Sequence, residues 1–207
     1  MTPEFVREDI EWCDVWLPEA NARDRPRVLL IGDSITRAYG GEVEKQLRDR
    51  ACVGRLATSK SIGDRALLTE IAMVLDSIKV NLIHFNNGLH GWGYSEEQYQ
   101  KAFPGVLGLF RRMAPRARII WATTTPVRQQ GALESFDAKT ERVRARNKIA
   151  AVVVEREKIA VNDLFALAKG HPEHYAPDGV HFSAVGVAAQ AEQVAAKIAE
   201  VLEAKAS

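Results

Sequence analysis

The sequence has little cysteine, no marked excess of either charge and no long apolar run, and each absence excludes a class of protein. Two cysteines, Cys13 and Cys52, are too few for a disulfide scaffold. Neither lies in a CxxC pair, which disfavours a redox or zinc role, and both fit a reducing compartment. Because no apolar run approaches the length of a membrane span, we expect no insertion into a membrane.

The charges are balanced, with 28 Lys and Arg residues against 27 Asp and Glu residues. Without a basic surplus to hold a phosphate backbone, nucleic acid is not an expected partner. The first residues, MTPEFVREDIEWCDVW, carry acidic side chains and Trp where a signal peptide has a basic start and an apolar core. We therefore predict a cytoplasmic protein whose partner is a small molecule, with no prediction of its oligomeric state.

Short apolar runs alternate with longer amphipathic ones after an aromatic and acidic stretch. That stretch, residues 1–26, is predicted to be an N-terminal arm or short helix, and residues 27–207 a single domain. The apolar runs are RVLLI (27–31), CVGRLA (52–57), NLIHFNN (81–87), ARIIWATT (117–124) and KIAVND (158–163). Strands that alternate with helices predict right-handed crossovers, and hence an α/β fold whose five-stranded parallel sheet is covered on both faces.

The amphipathic stretches predict helices between and after these strands. They lie at 35–50, 64–78, 95–113, 138–157 and 183–204. The third opens with Ser95-Glu96-Glu97-Gln98, which is a capping-box pattern. Pro104 is expected to kink or shorten that helix.

Polar residues follow each predicted strand, which is where ligands bind in parallel sheets. Gly32, Asp33 and Ser34 follow the first strand, and Gly63 follows the second in TSKSIGD. The other segments are NNGLHGWGYS (86–95), TTTPVRQQG (123–131) and HPEHYAPDGVHFS (171–183).

Ser34, Asp178 and His181 have the side chains that nucleophilic catalysis requires. A Ser hydroxyl is a poor nucleophile unless a base removes its proton, and an acceptor must hold that base in the right tautomer. In a turn before a helix, residues three apart face the same cleft. Asp178 would then accept from Nδ1 of His181 and leave Nε2 for Ser34. The alternative interpretation is that Asp33 or Ser34 is only a helix N-cap.

Four blocks of the sequence together resemble the SGNH (GDSL-type) hydrolase superfamily. They are GDSIT, a glycine after the second strand, a Gly-x-Asn-Asp-like turn after the third strand, and DGVHFS near the C-terminus. The resemblance covers residues 27–204. It implies a three-layer α/β/α sandwich of flavodoxin-like fold and the activity of an esterase, lipase, thioesterase or carbohydrate deacetylase, without a cofactor or a metal.

The resemblance also implies roles for individual residues. Ser34 would be the nucleophile, with Asp178 and His181 completing the triad. The backbone N–H groups of Ser34 and Gly63 would form part of the oxyanion hole.

The third block departs from the superfamily's pattern, in which an Asn side chain is the third oxyanion donor. This chain reads GLHG at 88–91, so His90 stands where Asn is expected. An imidazole N–H can also donate to an oxyanion. Asn87 is the alternative donor, and His90 is alternatively a structural or substrate-contacting residue.

The predicted substrate-binding residues are Asp33, Trp92, Tyr94 and Arg128. Trp92 and Tyr94 closely follow His90, and aromatic faces at the mouth of a site stack on sugar rings or grip acyl groups. Arg128 would meet an anionic substrate group, unless it is only a solvated loop residue.

The sequence therefore predicts a serine esterase that hydrolyses short-chain (O-acetyl) esters of a carbohydrate or small molecule. A lysophospholipase, thioesterase or acyltransferase on the same triad is one alternative, and a non-catalytic carbohydrate-binding protein is another. A metal hydrolase that uses His171, His174 and Asp178 is a further alternative.

Overall fold

A six-stranded sheet lies at the centre of the computed structural model, which describes residues 6–204. The strands are β1 (Cys13–Trp16), β2 (Arg27–Gly32), β3 (Cys52–Thr58), β4 (Leu82–Phe85), β5 (Arg118–Ala122), β6 (Arg128–Gln129), β7 (Ala132–Phe136) and β8 (Ala160–Asn162). The helices are α1 (Ser34–Leu47), α2 (Arg65–Ser77), α3 (Glu96–Met113), α4 (Lys139–Arg156), α5 (Leu164–Lys169) and α6 (Ala184–Glu203). Residues 1–5 of the predicted arm and 205–207 of the predicted domain lie outside the described residues.

The strand order confirms the predicted α/β architecture. The strands of the sheet lie in the order β1-β3-β2-β4-β5-β8. Each neighbouring pair among the last five of these, β3, β2, β4, β5 and β8, is parallel. The sheet has six strands where five were predicted, because β1 is added at its edge and pairs with β3 in the antiparallel direction. β1 is a four-residue edge strand that is mostly exposed, so it carries no apolar run that sequence periodicity could detect.

Side chains of the central strands alternate between two apolar clusters, one on each face of the sheet. Leu29 and Ile31 pack with α2, α3 and α4, whereas Val28 and Leu30 pack with α1 and α6. All four are fully buried. Because both faces of the sheet are covered, the sequence of β2 is a continuous apolar run, as is typical of parallel strands. The predicted three-layer sandwich is confirmed.

Helix α3 begins as predicted but is not shortened by its proline. Ser95 accepts from the N–H of Gln98, and the Gln98 side chain accepts from the N–H of Ser95, which completes the capping box. The helix continues through Pro104 to Met113, because Pro104 lies on the exposed face, where water can bond the backbone carbonyl that the proline leaves without a donor. None of the helices in residues 6–204 is long and apolar enough to cross a membrane.

Candidate active site

Ser34, His181 and Asp178 form a continuous hydrogen-bonded chain at the carboxyl edge of the sheet. The Oγ atom of Ser34, at the junction of β2 and α1, lies 3.0 Å from Nε2 of His181. Nδ1 of His181 lies 2.6 Å from Oδ2 of Asp178. Oδ1 of Asp178 accepts from the backbone N–H groups of Val180 and His181, each at 2.9 Å. This is the arrangement that a serine nucleophile, a general base and an orienting acceptor require.

The electrostatics of Asp178 fit an ionised acceptor. Burial raises the pKa of this carboxyl group, but hydrogen bonds from the His181 side chain and from the N–H groups of Val180 and His181 lower it further than burial raises it. The net effect is a pKa below the ordinary value of an Asp side chain. The carboxylate is therefore suited to hold a proton on Nδ1 of His181.

Gly179 fits the Asp-His turn tightly against strand β6. Its φ is +72°, and a Cβ at this position would lie 2.1 Å from the carbonyl oxygen of Arg128. The N–H of Arg128 donates to the carbonyl of Gly179 at 2.8 Å. Any other residue at this position would be strained and would collide with β6, so glycine is required for this approach.

The Arg128 side chain is buried among backbone carbonyls, and its predicted contact with the substrate stays a prediction. It is only 3% exposed, and its guanidinium donates to the carbonyls of Leu133 and Lys169, both at 2.7 Å. The group also lies over the rings of Phe136 and Tyr175. The β6–β7 hairpin folds over it, which sequence patterns do not reveal, and Arg128 supports the Asp-His turn.

Asp33 is the fully buried N-cap of α1, and its contact with a substrate stays a prediction. Its Oδ1 accepts from the N–H of Ile35 at 3.0 Å. Burial raises the pKa of Asp33, and the charge of His90 is the largest of the influences that lower it. Cap and nucleophile are thus neighbouring residues, since Ser34 is the first residue of the helix.

Gly63 lies in the turn between β3 and α2, where a side chain would not fit. A Cβ there would lie 2.8 Å from Cγ of Tyr94. Within residues 6–204 the N–H of Gly63 has no hydrogen-bond acceptor, so it is free to donate to a bound group. Tyr94 itself is 7% exposed and packs against Gly63, and its contact with a substrate stays a prediction.

The Asn87 side-chain amide makes two hydrogen bonds with the turn that carries Gly63. Its Oδ1 accepts from the N–H of Ile62 at 3.2 Å, and its Nδ2 donates to the carbonyl of Lys60 at 2.8 Å. The side chain is buried. Asn87 therefore positions the loop that carries Gly63, and its role as the alternative oxyanion donor stays a prediction.

Nδ1 of His90 contacts a carboxylate, whereas Nε2 has no hydrogen-bond partner within residues 6–204. Its Nδ1 lies 2.8 Å from Oε1 of Glu8, which belongs to the N-terminal segment. The ring of Trp12 meets the His90 ring edge to face, with centroids 6.5 Å apart. Most of the imidazole is shielded from solvent, and a positive charge on it would lower the pKa of Asp33, the residue before Ser34.

Arg146 positions the third block and was not found by sequence reasoning. This side chain of α4 is 1% exposed, and it donates to the carbonyls of Gly88 (2.9 Å), His90 (2.8 Å) and Gly91 (3.0 Å). Its guanidinium also lies 4.8 Å from the centroid of Trp92. Trp92 thus packs against α4, and its contact with a substrate stays a prediction. The partners of Arg146 are distant carbonyls, which leave no sequence signal.

We expect Arg146→Met to lower the free energy of unfolding by about 3–5 kcal/mol, because three buried carbonyls lose their donor. Chemical denaturation measures this change. Lys148→Met removes an exposed cation from the same helix and should change stability by less than about 0.5 kcal/mol. Equal stability of the two variants would contradict a positioning role for Arg146.

The metal alternative is not assembled as predicted. The ligand atoms of His171, Glu173 and His174 lie within 4.8 Å of one another, without Asp178. Nδ1 of His171 is 2.7 Å from Glu173, whereas the predicted ligand Asp178 is bonded to His181.

Comparisons with known proteins bear on the fold of the chain. No protein-family model matches the chain, and no curated protein matches its sequence. Among solved structures, a GDSL-like lipase from Bacteroides thetaiotaomicron VPI-5482 is 15% identical, with a TM-score of 0.68 over 88% of this chain and 95% of that one. An acetyl xylan esterase is 16% identical, with a TM-score of 0.68 over 83% and 99%. A proposed SGNH hydrolase from Slackia heliotrinireducens is 19% identical, with a TM-score of 0.64 over 84% and 100%.

These identities are low, so the likeness concerns the fold. It extends over most of this chain and nearly all of each matched chain. The chain has the fold of the SGNH (GDSL-type) hydrolases.

Proposed function

We propose that the protein is a serine esterase that hydrolyses carboxylic esters through an acyl-enzyme on Ser34. The observation that carries this proposal is the chain of hydrogen bonds from Ser34 Oγ through His181 to Asp178, at 3.0 Å and 2.6 Å. The first distance is typical of a nucleophile and its base, and the second is typical of a base and the acceptor that orients it. The fold shared with hydrolases supports the same reaction class by analogy.

In the first step, Oγ of Ser34 attacks the ester carbonyl while its proton moves to Nε2 of His181. Asp178 holds the proton on Nδ1 and stabilises the imidazolium that forms. When the C–O bond of the ester breaks, His181 returns its proton to the leaving alcohol. Water then attacks the acyl-enzyme, again with His181 as the base, and releases the acid and the free Ser34 hydroxyl.

The negative charge of each tetrahedral intermediate would be met by three donors. The N–H groups of Ser34 and Gly63 are two of them, since the first N–H groups of a helix have no partner within it and that of Gly63 has none in the described residues. Nε2 of His90 is the third. The N-terminal end of α1, a 14-residue helix, adds its positive dipole at Ser34.

Short-chain O-acetyl esters of a carbohydrate or small molecule are the substrate class we propose. The acetyl xylan esterase among the structural neighbours acts within this class, according to its name. The half-buried Trp92 near the site offers an aromatic surface on which sugar rings stack.

A fluorophosphonate probe tests the proposed nucleophile in the unmodified protein. We expect one adduct per folded chain, on the tryptic peptide VLLIGDSITR (28–37), in which Ser34 is the single serine. Heat-unfolded protein should not react, because the activation depends on His181. A folded protein that is not labelled would contradict the esterase and favour a non-catalytic binding protein, and turnover lost with a chelator would favour metal hydrolysis.

A panel of nitrophenyl esters, acyl thioesters, lysophospholipids and acetylated sugars then tests the substrate class. We expect kcat/KM to be highest for acetyl esters. If long acyl chains or thioesters were preferred, the acetyl assignment would be wrong while the esterase mechanism would stand.

A further inference from the structure

An N-terminal segment, residues 6–12, lies across the two loops that carry Gly63 and His90. At its start, the N–H of Val6 donates to the hydroxyl of Tyr94 at 3.1 Å. At its end, the N–H of Trp12 donates to Oγ of Ser59 at 2.9 Å. Each loop is therefore linked to this segment, which lies outside the region that resembles the superfamily.

Glu8 is the member of this segment that contacts His90. Its Oε1 lies 2.8 Å from Nδ1 of His90, and the same oxygen lies 3.4 Å from the N–H of Gly91. The Trp12 ring covers the imidazole edge to face, and Arg37 lies 4.6 Å above the Trp12 ring. The imidazole is thereby oriented by a carboxylate and shielded by an aromatic ring.

The chemistry of this contact determines which nitrogen of His90 can serve an oxyanion. A carboxylate has no proton to give, so Nδ1 of His90 is the donor and Glu8 the acceptor. Nε2 also donates only when the ring carries both protons, and Glu8 is then the acceptor for the proton on Nδ1. Glu8 and Asp33 are the carboxylates near the ring, and Arg146 is bonded to the backbone carbonyl of His90. Hydrogen bonds from such a cationic donor are about twice as strong as neutral ones.

We propose that Glu8 is a positioning residue of the oxyanion hole: it holds Nδ1 of His90 so that the Nε2–H of the same ring donates to the oxyanion. The Glu8–His90 pair would then replace the single Asn amide that the superfamily uses. The inference rests on the proposed function and adds a requirement for a residue of the N-terminal segment.

A double-mutant cycle separates this role from simple anchoring of the segment. Glu8→Gln makes the partner of His90 neutral, and we expect kcat to fall about tenfold with little change in KM, less than the hundredfold or more typical of losing a whole donor. His90→Asn supplies an amide that needs no carboxylate partner. In that background, Glu8→Gln should change kcat by less than about twofold.

Asp9→Asn is the matched control, since Asp9 is an exposed neighbour of Glu8 that makes no hydrogen bond or ion pair in residues 6–204. We expect it to leave kcat unchanged. If Glu8→Gln costs the same in both backgrounds, Glu8 only anchors the segment and the inference is overturned. No loss in the wild-type background overturns it as well.

Nitrogen-15 spectra of the imidazole groups distinguish failure of this inference from failure of the proposed function. The His90 signals are those that His90→Asn removes. We expect both ring nitrogens of His90 to be protonated in the wild type, with a strongly deshielded Nδ1 proton that Glu8→Gln shifts upfield. An unprotonated Nδ1 or an unprotonated Nε2 overturns the inference at any level of activity, whereas the absence of Ser34-dependent turnover in the wild type overturns the esterase itself.

Discussion

Ser34→Ala is expected to lower kcat for a short-chain nitrophenyl ester by about a millionfold, which is the loss that removing a serine nucleophile causes in other hydrolases. The reason is that, within residues 6–204, Ser34 Oγ is the one group hydrogen-bonded to Nε2 of His181, at 3.0 Å. Initial-rate kinetics and fluorophosphonate labelling measure the loss. The fold should be unaffected, because the N-cap of α1 is Asp33 and not Ser34.

Ser135→Ala is the control for this variant. Ser135 is an exposed serine of β7, and we expect its removal to leave both turnover and labelling unchanged. Comparable thermal unfolding of the two variants would show that neither is misfolded. Activity of Ser34→Ala within tenfold of the wild type would exclude Ser34 as the nucleophile.

Asp178→Asn is expected to lower kcat about ten-thousandfold, with a small effect on KM. The amide keeps an oxygen that accepts from the N–H groups of Val180 and His181, so the turn should keep its shape. Its NH₂ group, however, donates to Nδ1 and leaves the proton on Nε2. His181 would then present a proton to Ser34 in place of an acceptor.

Steady-state kinetics across the neutral pH range measure this loss. Glu173→Gln is the matched control, because it also neutralises an exposed carboxylate bonded to Nδ1 of a histidine, His171, but one outside the triad. We expect this control to retain full activity. An Asp178→Asn variant with nearly wild-type kcat would mean that Asp178 does not set the tautomer of His181.

The fold was largely predictable, because the spacing of apolar residues along the chain indicates which faces of a strand or helix are buried. Strand β2 has two buried faces and reads as a continuous apolar run, whereas β1 is an exposed edge strand and gives no such signal. Asp178 and His181 were predictable as a pair for a similar reason. They belong to one turn, so their spacing alone brings their side chains together.

The roles of the polar side chains around the triad were not predictable in this way. Arg128 and Tyr94 look like site residues because they follow strands, but both are buried by elements that pack on them. Arg146 and Glu8 look like ordinary surface charges on a helix and on an acidic terminus. Their partners are carbonyls of the third block and the imidazole of His90.

The sequence by itself determined the α/β order, the nucleophile candidate at the end of the first apolar run and the Asp-His turn, because each depends on residues close together in the chain. Only the tertiary structure decided which neighbouring polar groups support that site. Their hydrogen bonds join segments that are far apart in sequence, so no spacing or periodicity encodes them. His90 is an example of each case. Its position in GLHG shows from the sequence alone that the third block departs from the superfamily's pattern, whereas only the tertiary structure shows that Glu8 contacts its Nδ1.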